Sequence, residues 1–511
     1  MKVILPIVLS ALLPAVVFAQ KTTADSTYTF NQNLNELHYS TQSGTQLVNS
    51  GINKLSTASM SFHTANGHFR TAQQAEHGKQ IAFGTSGITT LSRFKLFGNF
   101  NFSRTWQDSL AWTMQGLPNL AKPYYFAAGK AGKYERLNYT LGGLATYQLP
   151  GDHLYIAAGI DYRYNTASRS VDPRPSVQTF HIILTPELIY RKDKQTIGLG
   201  LLWGYEHERN VVSYNNNEYA NGVTYPDRLN YLVMGYGYNT VIGPARIIRK
   251  SNFTGATINY AYIDAKQHLR TRLAYKRQEE DNFFPLVLAD NNRIFSSFYL
   301  NNYDFSLLAS KQNSSFRHQL QLKASHQQGN DNNVELGGVN YRFSSNAALL
   351  QYLIQPNSSS SVNYEFGVTG LLYNQQQKDI SAAHTMDFTY IQPGLQATLY
   401  KKYSNADRFK LSLSPSLRLP VSHQFTVPSA QENVFTYNIA YPAYTYYTST
   451  VGSLQGGLEY ISTHFIKDMS SGFAINGTLY KPLTTGTVYS GSTFVPSKNF
   501  LQLSFSFNIY F

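Results

Sequence analysis

The 511-residue chain has no cysteine, few charged residues (14% Asp, Glu, Lys and Arg) and, past its N-terminus, no long apolar run. The missing cysteine excludes disulfides, so a large hydrogen-bonded framework must stabilise the protein if it is exported. It also excludes a lipid-modified cysteine behind a leader peptide. The missing apolar runs exclude membrane helices, which need ~20 such residues. No Gly-x-Ser-x-Gly elbow, His-Glu-x-x-His pair or phosphate-binding loop occurs, so no motif marks an enzyme. His63, His68 and His77 surround the first hairpin without a shared carboxylate, and read as ordinary polar residues near a rim. The expectation is no catalytic residue, no cofactor and no metal, with a surface hydrolase as the remotest alternative.

What is present begins with a leader. Lys2 precedes an apolar run from Val3 to Val17, and Val17 and Ala19 place small residues before a cleavage site at Gln20. Residues 1–19 therefore read as a secretory signal peptide, with an N-terminal anchor as the alternative. Tyr (39) and Phe (31) are abundant, yet mean hydropathy is only −0.30. A membrane protein without membrane helices must be a closed barrel, because lipid cannot satisfy an open backbone edge. A secreted β-sandwich or propeller fits the same composition.

Periodicity separates these readings. Apolar residues alternate with small or polar ones over about ten positions, the pattern of a barrel strand facing lipid and lumen. Leu137, Tyr139, Leu141 and Gly143 form one such run, Ile197, Leu199, Leu201 and Trp203 another, and Leu501, Leu503, Phe505, Phe507, Ile509 and Phe511 the last. The positions between hold mostly Gly, Ser, Thr, Asn and Gln, which suit a confined lumen better than bulk water. Trp106, Tyr162, Tyr164, Tyr190, Trp203, Tyr205 and Tyr400 lie near run ends, where interfacial girdles belong.

Short links at Ser92-Arg93, Pro150-Gly151-Asp152, Asp193-Lys194 and Ser404 to Asp407 alternate with longer polar segments. The longer ones include Gln107 to Lys133, Thr166 to Gln178, Asn210 to Ser251, Gln375 to His384 and Val421 to Thr445. The prediction is an all-β, transmembrane antiparallel β-barrel of about 18 strands (range about 16–20), with short periplasmic turns and long outer loops. Tyr231 to Tyr238 reads as an extra strand inside the longest loop, which would raise the count to about 20 if it joined the wall. The expected division is a signal peptide (1–19), a short periplasmic segment or partial plug (20–57) and the barrel (58–511). The expected location is the outer membrane of a Gram-negative cell.

Three stretches and the last residue also carry a resemblance: Thr71-Ala72-Gln73-Gln74-Ala75-Glu76, Phe83-Gly84-Thr85-Ser86-Gly87-Ile88, Val171-Asp172-Pro173-Arg174-Pro175, and Phe511. In these the chain resembles an uncharacterised family of outer-membrane β-barrel proteins from Bacteroidota, described as a domain of unknown function. The resemblance is clearest from Ser59 to Glu208. It implies fold and location, and no activity.

Candidate sites follow from strand geometry. Arg270, Arg272 and Lys276 share one face of a strand whose other face is Leu269, Thr271, Leu273 and Tyr275. They read either as an anion-attracting lumen stripe or as members of a lumen salt-bridge network. Asp172 and Arg174 flank a proline in a stiff loop and could form a constriction or merely a rigid surface turn. Phe511 reads as the signal by which the barrel-assembly machinery recognises the chain. The net charge of +13 favours anionic partners, of which lipopolysaccharide phosphate is the plainest, approached by Arg246, Arg249 and Lys250. Nucleic acid is not an expected partner, and a lipoprotein or transporter partner stays open. The segment 20–57 is too short for the folded plug of an active transporter, and the Asn-Pro-Ala signature of fatty-acid channels is absent. The function expected is a channel or accessory component for solute uptake. A closed-lumen barrel that binds partners through its loops is the alternative.

Overall fold

The computed structural model describes residues 27–285, 292–357, 360–467 and 469–511. The expected leader (1–19) and the tip of the loop between Glu280 and Arg293 lie outside the described residues.

Eighteen antiparallel strands form the wall, from Lys54–Gly67 to Phe500–Tyr510. Those two pair from Thr57↔Tyr510 to Gly67↔Phe500 and close the ring. Past them, Phe511 N donates to Ser56 O (3.0 Å) and Ser56 N donates to Phe511 O (2.8 Å). Closure leaves no unpaired edge, which is what permits a sheet to stand in lipid. The alternation emerges as expected. On the strand Gln195–Ser213, Leu199, Leu201 and Trp203 are 59%, 66% and 64% exposed, while Thr196, Gly198 and Gly200 on the alternate face are buried inside. A closed barrel whose large apolar side chains point outward is the architecture of an outer-membrane protein, and the outer membrane is its location.

The short links sit at the end where the ring begins and finishes. At the opposite end the strands outrun their expected lengths. The loops foreseen at Thr166 to Gln178 and Gln375 to His384 shrink to residues 170–173 and 380–383, because the flanking strands continue to Arg169 and Asp379. Polar residues there mark the exit from lipid, not the end of the ladder, since strand pairing uses only backbone groups. The run at Tyr231 does not join the wall. Asn230–Met234 pairs with Asn239–Ile242 and with Tyr124–Ala127 in a separate three-stranded sheet, and the wall passes directly from Gln195–Ser213 to Ala245–Ile263. Tyr400 also departs from expectation. It is 3% exposed and faces the lumen, where its hydroxyl accepts from Asn31 N.

Inside the ring, residues 27–53 form two short helices, α1 (Asn31–Ser40) and α2 (Gly44–Val48). Ser43 starts α2 by accepting from Gln46 N, which satisfies one of the donors a helix start leaves open. Tyr28 and Leu55 pack with Ile461 and Tyr510, and Leu47 packs with Ile88 and Leu144. These contacts seat the segment in the half of the barrel nearest the short turns.

Candidate functional site

The lumen is organised in three levels. At the lowest, wall side chains reach inward and hold the backbone of the inner segment. Glu187 accepts from Gly44 N (2.7 Å), Thr45 Oγ1 (2.5 Å) and Asn259 Nδ2 (2.9 Å). Its carboxylate thus sits at the start of α2, where the helix dipole favours negative charge. Two glycines permit this approach. A Cβ on Gly44 would lie 2.3 Å from Ala157 Cβ, and one on Gly198 would lie 1.9 Å from Thr45 Oγ1. Arg270 donates to Glu36 Oε2 (3.0 Å), Gln46 Oε1 (3.1 Å) and Asn49 O (2.9 Å). Glu36 also accepts from Ser310 Oγ (2.7 Å) and lies 3.4 Å from His268 Nδ1. Burial alone would raise the Glu36 pKa, but the His268 contact, the Arg270 charge and Ser310 outweigh it and hold it down at about 2. Farther along, Asn31 Nδ2 donates to Glu365 (2.7 Å), and Gln319 Nε2 donates to Gln32 O (2.9 Å).

Above this level lies a chamber of about 960 Å³. One side carries charge: Asp161, Arg163, Arg272, Lys276 and Asp304, with Arg163 and Asp161 2.6 Å apart. The other side is neutral: Thr57, Ser59, Ser86, Asn99 and Asn101. The neutral side continues toward the outer end in a groove of about 440 Å³ lined by His63, Gln80, Thr105, Asn476, Thr478 and Ser504. Ser59 and His63 are four apart on one strand, so they share its inner face. The groove adds no acid, and Lys79 beside it shares the outward face of its strand with Ile81 and Phe83.

At the outer level, loop residues fold back into the ring. Lys122 lies between Glu206 (3.1 Å) and Glu280 (2.6 Å), and Glu206 also contacts His181 (3.0 Å). Burial draws the Lys122 pKa down, but the two carboxylates more than compensate and leave it above the usual lysine range. Arg136 donates to Gln115 O (2.8 Å) and Gly116 O, Asn210 Nδ2 to Met114 O (2.8 Å), and Arg249 to Tyr124 O and Glu208. Beside them is a cavity of about 280 Å³, lined by Tyr125, Tyr236, Tyr341, Phe435 and Tyr447 and by several glutamines. The helix α3 (Tyr441–Thr448) covers this side. Among the described residues, no group of three or more His, Asp or Glu is placed to hold a metal ion.

The residues singled out from sequence are dispersed over these levels. Arg270 belongs to the inner clasp, whereas Arg272 and Lys276 line the chamber opposite its neutral side. Arg174 Nε lies 2.7 Å from Asp172 Oδ1, and Asp172 also accepts from Asn215 N and Asn216 N (3.1 and 3.2 Å). That pair fastens one outer loop to the next. Phe511 continues the seam of the ring. No sequence motif marks Glu36, Lys122 or the glutamine-tyrosine cavity as sites. One signal was available: Glu36 is the only acidic residue between Thr27 and Thr57, and a solitary carboxylate on a neutral segment calls for a cation.

Several solved structures share the barrel form at low similarity. The ferric preacinetobactin receptor BauA from Acinetobacter baumannii is 10% identical, covering 90% of this chain and 80% of that one, with a TM-score of 0.38. The FrpB iron transporter (F3-3 variant) from Neisseria meningitidis is 10% identical, covering 90% and 82%, at 0.40. A mutant of the TodX monoaromatic hydrocarbon channel is 11% identical, covering 92% and 93%, at 0.31. No curated protein sequence matches the chain. A family model does match, over residues 44–511, and so spans α2 and the whole wall; the chain belongs to that family of unknown function, DUF6850.

Proposed function

We propose that the protein is a solute-uptake barrel for small neutral polar molecules, with residues 27–53 acting as a stopper on the periplasmic side. The observation that supports it is the neutral face that runs from the outer groove along one side of the central chamber, at whose floor the inner segment sits. Hydroxyls and amides can replace the hydrogen bonds a neutral solute loses on leaving water, without trapping ions. The inner segment is held mainly by polar contacts to wall side chains, and such contacts can be exchanged for water when the segment moves.

A second reading is a closed barrel that presents its outer surface to partners. It is favoured by the inward-folded outer loops and the buried ion pairs of Lys122. Planar-bilayer recordings separate the two. The native protein should conduct weakly, with little preference between cations and anions. The double variant Arg270→Gln, Glu187→Gln should conduct several-fold more while still migrating as a folded, heat-modifiable barrel. Silence from both folded proteins would reject the uptake reading and favour the closed one.

A further inference from the structure

The outer cavity has the composition of a ligand site. Its lining includes four tyrosines and five glutamines, and a single cation, Lys122. The walls are built, not mobile surface: Tyr125, Tyr341 and Phe435 are 6%, 1% and 2% exposed. Gln73 Nε2 donates to Tyr125 OH (2.9 Å), Gln377 Nε2 donates to Tyr341 OH (2.9 Å), and Gln375 Nε2 donates to Gln377 Oε1 (3.1 Å). These bonds fix the rings and amides relative to one another, which is the preorganisation a binding site requires.

Several polar groups retain unused capacity. The Thr113 hydroxyl is buried on the cavity wall with no hydrogen-bond partner among the described residues. Tyr125 accepts from Gln73, which leaves its own proton to donate, and Gln375 has a second N–H. A buried polar atom left unmatched is costly, so such atoms in a preformed cavity point to a hydrogen-bonding occupant. Lys122 contributes no free charge, because Glu206 and Glu280 already neutralise it. A charged ligand would find no counterion there.

We propose that this cavity binds one neutral sugar ring. The aromatic faces would pack against the ring's C–H face, whose partial positive charge complements the negative π surface. Thr113, Tyr125 and Gln375 would bond its hydroxyls. The cavity volume is at the small end for ligand sites, which limits the occupant to about one ring. The proposal names the solute class of the uptake reading and rests on it for its physiological purpose, but binding itself does not depend on conduction.

Trp112 serves as the reporter, since it packs against the same aromatic cluster and its carbonyl accepts from Gln73. Purified full-length protein in detergent is titrated with D-glucose, D-galactose and N-acetylglucosamine, with D-glucuronate and phenol as controls. Fluorescence and calorimetry follow binding. At least one neutral sugar should bind saturably, and Thr113→Val and Gln375→Met, each checked for heat-modifiable folding, should weaken it at least tenfold. D-glucuronate and phenol should bind at least tenfold more weakly than that sugar. Absence of binding by all three sugars, equal binding by both folded variants, or preferential binding of phenol or glucuronate would overturn the proposal. A protein that binds sugar but stays silent in bilayers would retain this site and lose only the uptake reading.

Discussion

Glu36 shows how one side chain can set the behaviour of a segment. Its carboxylate is held at about 2, against an ordinary 4.5, chiefly by His268, Arg270 and Ser310 acting against burial. A group whose pKa falls on folding stabilises the native state above its unfolded pKa and loses that contribution as pH drops through the folded value. The 2.5-unit difference (4.5 minus 2) corresponds to an effect on the order of 3 kcal/mol. The inner segment should therefore stay docked from neutral pH to about 4.5 and loosen progressively toward pH 2. Pepsin cleavage between Thr27 and Asn53, normalised at each pH to cleavage of an unfolded reference substrate, should rise across that window in the native protein. In Glu36→Gln cleavage should be higher at the start and nearly flat. A native profile as flat as the variant's would show that Glu36 does not hold the segment. The inward direction of Arg270 was legible from alternation alone. Its partner was not, because pairing across 234 residues leaves no periodic trace.

Among the elements, the inward-folded outer segment is the counterpart of the inner one. Wall side chains grip its backbone, and Lys122 is its only cation set between two wall carboxylates. Lys122→Met should leave Glu206 and Glu280 facing each other with one countercharge fewer. Breaking a buried pair in this way costs about 3–5 kcal/mol. The expected result is release of the segment and new chymotrypsin cleavage at Tyr124, Tyr125 or Phe126, with the wall intact by heat-modifiability. Continued resistance at those sites would mean that backbone contacts alone suffice. The strand at Asn230–Met234 was visible in its apolar run. That it pairs with Tyr124–Ala127, from a different loop, was not visible, because polarity and length describe a loop without saying which loop it meets.

At the scale of the molecule, the strand count and the sidedness of each strand were the most legible features. Lipid and lumen impose a two-residue period on every crossing, and the period is written directly in residues such as Leu199 and Leu201. Leu199→Arg should accordingly destabilise the barrel by about 2–4 kcal/mol near the bilayer midplane. Thr140→Arg, which faces the chamber, should be tolerated better. Urea midpoints in lipid vesicles compare the two, and a larger loss from Thr140→Arg would reverse the assignment of faces. The contents of the lumen were far less legible. They depend on which polar residues meet at one height, and Glu187, Gly198 and Thr45 do so only once the ring has closed.

The same wide spacing orders events in time. Residues 27–53 are made and exported before any strand. Yet their partners lie 143 residues downstream at Glu187, 234 at Arg270, 287 at Gln319 and 334 at Glu365. Contacts so distant in sequence form late. Residues 27–53 therefore find their full set of partners only after most of the wall exists.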